Sequence, residues 1–263
     1  MQKKVLYVSE NDSYEKFLEG MEIDREKFIQ WGLDSIIYIK DDIDTTWKKI
    51  LRGEYWKENK KDVVEYKSFI RGYGRNAAGT PYFIELNKRI LKVISGTDAY
   101  VVKDSSNNSK PPALLKKMTK CQRNKASRGR IPIYNYQVSH IFGRTKNVLL
   151  FTAPWNVCYT PKIIDPLTGH ETYKDSKIVK EFKKAWGECV FEKFKDYIKE
   201  YNEILEREDV KKVLSDYKKE INSANNVEED KKNQLIRDID NAFSKITKSC
   251  IYIDESVTGD DKE

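Results

Sequence analysis

Apolar positions recur every three or four residues from Ile178 to Leu205, through Phe182, Ala185, Trp186, Cys189, Val190, Phe194, Tyr197, Ile198, Tyr201 and Ile204. That period puts them on one face and predicts a single amphipathic helix over about 175–207. Its aromatic stripe suits the core or the seam of a homodimer. Val210, Val213, Leu214, Tyr217 and Ile221 predict a second helix over 209–221, and Leu235, Ile236, Ile239, Phe243 and Ile246 a third over 228–248. Towards the N-terminus the periods shorten. Short strands are expected at 3–8 and 35–40, short helices at 13–19, 24–31 and 45–51, and a longer helix over 83–96 that stops at Gly96. Alternation over 131–142 predicts a strand, and VLLFTAPWNVCY over 148–159 a second one broken at Pro154. The fold class is therefore α+β. It divides into an N-terminal mixed α/β or helical part (1–103), a linker (104–115) marked by DSSNNSKPP, a segment 116–207, C-terminal helices (208–249) and a disordered tail (250–263).

Charge narrows the partners. Of the 263 residues 35% are charged and the net charge is +7, which favours a polyanion. No run approaches the length of a transmembrane helix, MQKKVLYV has too short an apolar run for a signal peptide, and Cys121, Cys158, Cys189 and Cys250 are scattered without metal spacing. A membrane partner is not expected; a cytoplasmic location is. The strongest asymmetry lies in KKMTKCQRNKASRGR, where Lys116, Lys117, Lys120, Arg123, Lys125, Arg128 and Arg130 meet no acidic residue. Such a run suits the phosphate backbone of a nucleic acid. Arg71 and Arg75, in the glycine-rich loop RGYGRNAAGTPY, and Arg144 and Lys146, just after the 131–142 strand, are further candidates for DNA contact.

Both of the protein's histidines, His140 and His170, fall in 131–175, and Asn156 stands between them in APWN. Fifteen residues separate His140 from Asn156 and thirteen separate Asn156 from His170. A strand ending at the first histidine, a second strand, and a helix beyond the other histidine complete the order. This arrangement resembles the HNH, or ββα-metal, endonucleases. The resemblance implies that His140 is the general base, that Asn156 orients it through the backbone, and that His170 holds one divalent cation, magnesium or manganese, against the scissile phosphate. An imidazole suits the first role because it titrates near neutrality. Three features depart from the family pattern. Ser139 stands where the family has an acidic ligand, the second gap is longer, and the paired Cys-x-x-Cys are absent. Ser139, Asp165 or Glu171 is then left to complete the ligand set, and Asn156 itself becomes a candidate ligand.

A competing signature is Glu65-Tyr66-Lys67, which has the spacing of the PD-(D/E)xK nucleases, with acids at 41, 42 and 44 as upstream partners. The same triplet recurs at several places in this charge-rich chain. The function expected is metal-dependent hydrolysis of double-stranded DNA by a site-specific, restriction-type enzyme. The alternative of another class is a nucleic-acid-binding protein without chemistry.

Overall fold

The computed structural model describes residues 12–60, 63–73, 77–98, 100–168, 176–225 and 227–248. The expected strand at 3–8, Arg75, His170, Glu171, Cys250 and the expected disordered tail lie outside these residues.

Helices α1 (Ser13–Gly20) and α2 (Arg25–Asp34) start where aspartates cap them: Asp12 accepts from the Tyr14 amide at 2.8 Å and Asp24 from the Lys27 amide at 2.9 Å. Strand β1 (Ile37–Tyr38), helix α3 (Ile43–Leu51), and strands β2 (Trp56–Lys60) and β3 (Val63–Ile70) follow. Helix α4 (Thr80–Ser95) has proline in its first turn and ends at Gly96, whose φ of +72° is the left-handed conformation that closes a helix. It carries the chain to β4 (Tyr100–Lys103), which pairs parallel with β3, while β2 pairs antiparallel on β3's other edge.

The expected linker 104–115 is instead ordered structure. Asp104 is fully buried and accepts from the amides of Ser109 (2.7 Å) and Lys110 (2.8 Å) as α5 (Lys110–Thr119) begins. Leu114 and Leu115 then bury completely. A polar stretch reads as a linker only while its aspartate has no helix to cap.

Strands β5 (Cys121–Arg123) and β6 (Ile131–Ile133) pair parallel as a small ribbon. Strand β7 (Tyr136–His140) runs antiparallel to β8 (Val157–Pro161), and β1 adds to the far edge of β8. The N-terminal part thus shares a sheet with the hairpin. A short helix, α6 (Asp165–Thr168), follows β8.

The predicted 175–207 helix is two helices, α7 (Lys177–Lys193) and α8 (Lys195–Glu206), which turn at Phe194 (φ −118°, ψ 18°). Neither glycine nor proline marks the bend. Helices α9 (Glu208–Ser223) and α10 (Glu229–Ala242) complete an α+β fold with long C-terminal helices. The aromatic stripe is spent inside the chain, because Phe182, Trp186, Phe194, Ile198 and Tyr201 are buried in the main core. Among the described residues no helix is long and apolar enough to cross a membrane.

Candidate functional site

The stretch 148–159 was expected to be a strand broken at Pro154; 157–159 lies in β8, but 147–156 is a series of turns in which every residue is buried. Buried turns need partners for their backbone groups, since no ladder supplies them. Three fully buried asparagines do this. Asn87 of α4 accepts from the Val148 amide (2.8 Å) and donates to the Lys146 carbonyl (2.9 Å). Asn147 accepts from the Leu149 amide (2.9 Å) and donates to Tyr201 Oη (3.1 Å) and the Ala242 carbonyl (2.9 Å). Asn156 accepts from the Phe142 amide (2.8 Å) and donates to the carbonyls of Leu150 (2.9 Å) and Gly143 (3.2 Å). Its own carbonyl accepts from the Ile141 amide at 2.8 Å, so Asn156 closes the neck of the loop between β7 and β8 with main chain and side chain together.

This assignment separates two roles the sequence left open. The amide of Asn156 is fully buried and both of its polar atoms are engaged with the loop. It is a clamp on the backbone and offers no atom to an ion.

His140 ends β7 opposite Val157. Its ring lies nearly parallel to Phe151, with centroids 5.6 Å apart and 13° between planes, and Nε2 is 3.0 Å from the Phe151 carbonyl oxygen. A carbonyl only accepts, so Nε2 is the donor in this contact. Phe151 lies in the loop whose neck Asn156 closes, so the asparagine sets the platform on which the imidazole rests.

Ser139 does not join this arrangement. Successive residues of a strand point to opposite faces. Ser139 bonds Thr160 Oγ1 at 2.7 Å on the face where Gln137 Nε2 donates to Asp165. Its hydroxyl, expected as a cation ligand, is thus committed away from His140, and the Asp165 carboxylate is held by Gln137. Among the described residues no group of three or more His, Cys, Asp and Glu side chains is placed to hold a metal.

Arg144 and Lys146 are not free to reach a phosphate. Arg144 adopts φ +53°, and its guanidinium donates to the Phe142 carbonyl (2.7 Å), Ser244 Oγ (2.9 Å) and the Lys245 carbonyl (3.2 Å). Lys146 Nζ lies 3.6 Å from the centre of the Tyr73 ring and 3.0 Å from Asp238 of α10. Tyr73 also donates to Asp238. Burial pushes the Lys146 ammonium down and the Tyr73 phenol up, the latter reinforced by the carboxylate beside it. These cations bind the loop to the C-terminal helices. Arg71 is exposed, with its amide on the Thr145 carbonyl at 3.0 Å, and so borders the same loop.

The basic run occupies the end of α5, the β5–β6 ribbon and the turn between its strands. Among the described residues no carboxylate pairs with Lys116, Lys117, Lys120, Arg123, Lys125, Arg128 or Arg130, whereas many of the chain's other lysines and arginines are in ion pairs. Arg130 is used internally, donating to the Lys116 carbonyl. Leu114, Leu115, Cys121 and Ile133 pack this unit against Val157 and Tyr159 of β8. Those two residues face Val138 and His140 across the ladder, so the basic unit covers the His140 face of the hairpin.

A second constellation lies on the β2–β3–β4 sheet. Glu58 stands directly opposite Glu65, and Lys67 is two residues farther along the same face. Lys67 Nζ is 2.5 Å from Glu58 and 3.8 Å from Glu65. The acid brought to Lys67 is Glu58, which the sequence reading had not chosen. Of the acids it chose, Asp42 precedes α3 and Asp44 pairs with Lys48 at 2.7 Å.

The family model described as "Uncharacterised protein PM1201" matches residues 41–248, a span that holds both constellations. A protein of Pasteurella multocida (strain Pm70), described as "Uncharacterized protein PM1201", is 36% identical over 213 residues, which are 80% of this chain and 88% of that one. No solved structure matches the chain. Since the match extends from α3 to the C-terminal helices, the chain belongs to the PM1201 family.

Proposed function

We propose that the protein is a metal-dependent endonuclease of double-stranded DNA, with the His140 imidazole as general base and the loop clamped by Asn156 as its support. The observation that carries this reading is the fixed imidazole: Phe151's carbonyl holds Nε2 at 3.0 Å and its ring stacks on the imidazole. A carbonyl partner fixes the orientation of an imidazole, as a proton acceptor from water requires. The unpaired cations of α5 and the ribbon, packed on the same face, suit a phosphodiester substrate.

A divalent cation, magnesium or manganese, would supply charge stabilisation at the phosphate. Ser139 and Asn156 are engaged elsewhere, so the proposed ligand is His170, outside the described residues. Site specificity, and action as a homodimer, remain part of the proposal.

A second reading has its own observation. Glu58, Glu65 and Lys67 converge on one sheet face, and β3, α4 and the parallel β4 follow as one crossover unit. In that reading the two carboxylates hold the cation and Lys67 assists the water. Cleavage of supercoiled plasmid in magnesium, abolished by a chelator, tests both readings against a protein that only binds DNA. His140→Ala and Lys67→Ala then decide between them.

A further inference from the structure

We propose that the turn 124–130 is the base-reading element of the duplex interface, and that α5 is its phosphate grip. This rests on the reading of the protein as a DNA-binding nuclease and divides its basic run into two parts.

The division follows from side-chain type and from what each side chain already does. Lys116, Lys117 and Lys120 stand at the end of α5, where a lysine acts as a point charge. Lys117 Nζ rests 5.0 Å over the Tyr55 ring, which holds its stem to the body of the protein while the residue stays exposed. Residues 124–129 carry a different set: asparagine, lysine, serine and arginine, every one of them exposed. Arg and Lys bond guanine edges, and Asn bonds adenine, in the major groove.

The turn is also built in advance. The Asn124 amide donates to the Ile133 carbonyl, the Arg130 amide to the Ser127 carbonyl and the Ile131 amide to the Lys120 carbonyl, each at 3.0 Å. Ser127 Oγ donates to Gln122 Oε1 at 2.7 Å, and Arg130 ties the turn's base to α5. Lys120, Asn124 and Gly129 take φ of +59°, +66° and +70°, which fold the segment tightly. A preformed projection loses little entropy on binding. Arg130 and Ser127 are spent on the scaffold, so Arg128 and Lys125 are left as the tip. Because the ribbon packs on β8, the tip keeps a fixed offset from His140.

The test uses the full chain in the presence of a chelator, so that binding is read without cleavage. A random-sequence duplex library is selected, and the base preference and salt dependence of binding are measured. Arg128→Gln should erase preference at one or two adjacent base pairs and weaken the selected site by about 5- to 150-fold. Arg128→Lys should reduce that preference with the salt slope intact, because it keeps the charge and loses only the planar fork. Lys116→Gln with Lys120→Gln should leave the preference unchanged, weaken all sequences alike, and lower the salt slope by about 0.9 per contact. Unchanged thermal melting of each variant confirms folding. If Arg128→Gln keeps the preference, or if the selection yields none although duplex is bound, the turn is not a reader and duplex binding still stands. Failure to bind any duplex removes this inference and the nuclease reading together.

Discussion

The hairpin around His140 and the sheet face around Lys67 both gather polar side chains on strands, yet they use them in opposite ways. On the sheet, charges satisfy each other: Lys67 lies between Glu58 and Glu65, two carboxylates placed opposite one another that would otherwise repel. At the hairpin, neutral amides satisfy the backbone, and Asn156 and Asn147 are consumed in holding a buried loop. That expenditure leaves an imidazole whose orientation is fixed by a carbonyl and a stacked ring. A self-neutralising cluster explains itself as sheet stabilisation. The buried loop held by three asparagines places the Phe151 carbonyl and ring against His140.

The largest contrast is expected in catalysis. His140→Ala should lower the cleavage rate about 100-fold or more, with duplex binding preserved and the fold retained, if general-base catalysis is the whole effect. Lys67→Met should leave the rate within about twofold. Under the second reading these outcomes exchange places.

Stability should divide the other way. Asn156→Ala removes three hydrogen bonds and strands buried groups, so denaturant unfolding should show a loss of about 3–5 kcal/mol. Asn156→Asp should be no better, because a carboxylate cannot donate to the Leu150 and Gly143 carbonyls and brings a charge into a buried site. A variant with Asp at 156 that melts like wild type would contradict the clamp. Lys67→Met leaves two facing carboxylates on a partly exposed strand face, and a loss of about 1 kcal/mol is expected.

The hairpin's own braces come next. Arg144→Ala removes the ties to Ser244 and Lys245, and about 1–2 kcal/mol should be lost in urea unfolding. If Arg144 instead contacted phosphate, the variant would melt normally and show a flatter salt dependence of binding.

The smallest effect concerns acid. Lys245 and Lys211 donate to Glu206 at the end of α8 and hold its carboxyl down at about 2. A folded pKa below the unfolded value of about 4.3 adds stability above that value, which is lost as pH falls towards 2. Glu206→Gln should therefore melt slightly below wild type at pH 6 and converge with it near pH 2. The pair is exposed and salt should mask the difference.

The helices were legible because burial follows a 3.6-residue period: α9 and the caps at Asp12 and Asp24 lie where the pattern puts them, and α10 starts as expected but ends at Ala242, six residues short of the predicted 248, although Phe243 and Ile246 beyond it are still buried. The loop 147–156 was not, because a run of buried apolar residues looks the same in a strand and in a turn held by side-chain hydrogen bonds. Asn147 and Asn87 were the only sign of it, polar residues embedded in apolar runs. Asn156 was found through its spacing from the histidines, but its burial, which removes it as an ion ligand, depends on contacts far apart in sequence. Arg144 and Lys146 looked like surface cations, since their partners Ser244 and Asp238 are some 90–100 residues away. Glu58 was missed for the opposite reason: only strand register brings it across from Glu65.

The most direct test is cleavage of supercoiled plasmid in magnesium or manganese by wild type, His140→Ala and Lys67→Ala side by side, each confirmed folded at the assay temperature by circular dichroism. A general-base role for His140 requires chelator-sensitive cleavage by wild type and Lys67→Ala, with His140→Ala reduced about 100-fold or more. Cleavage by His140→Ala at the wild-type rate would contradict it.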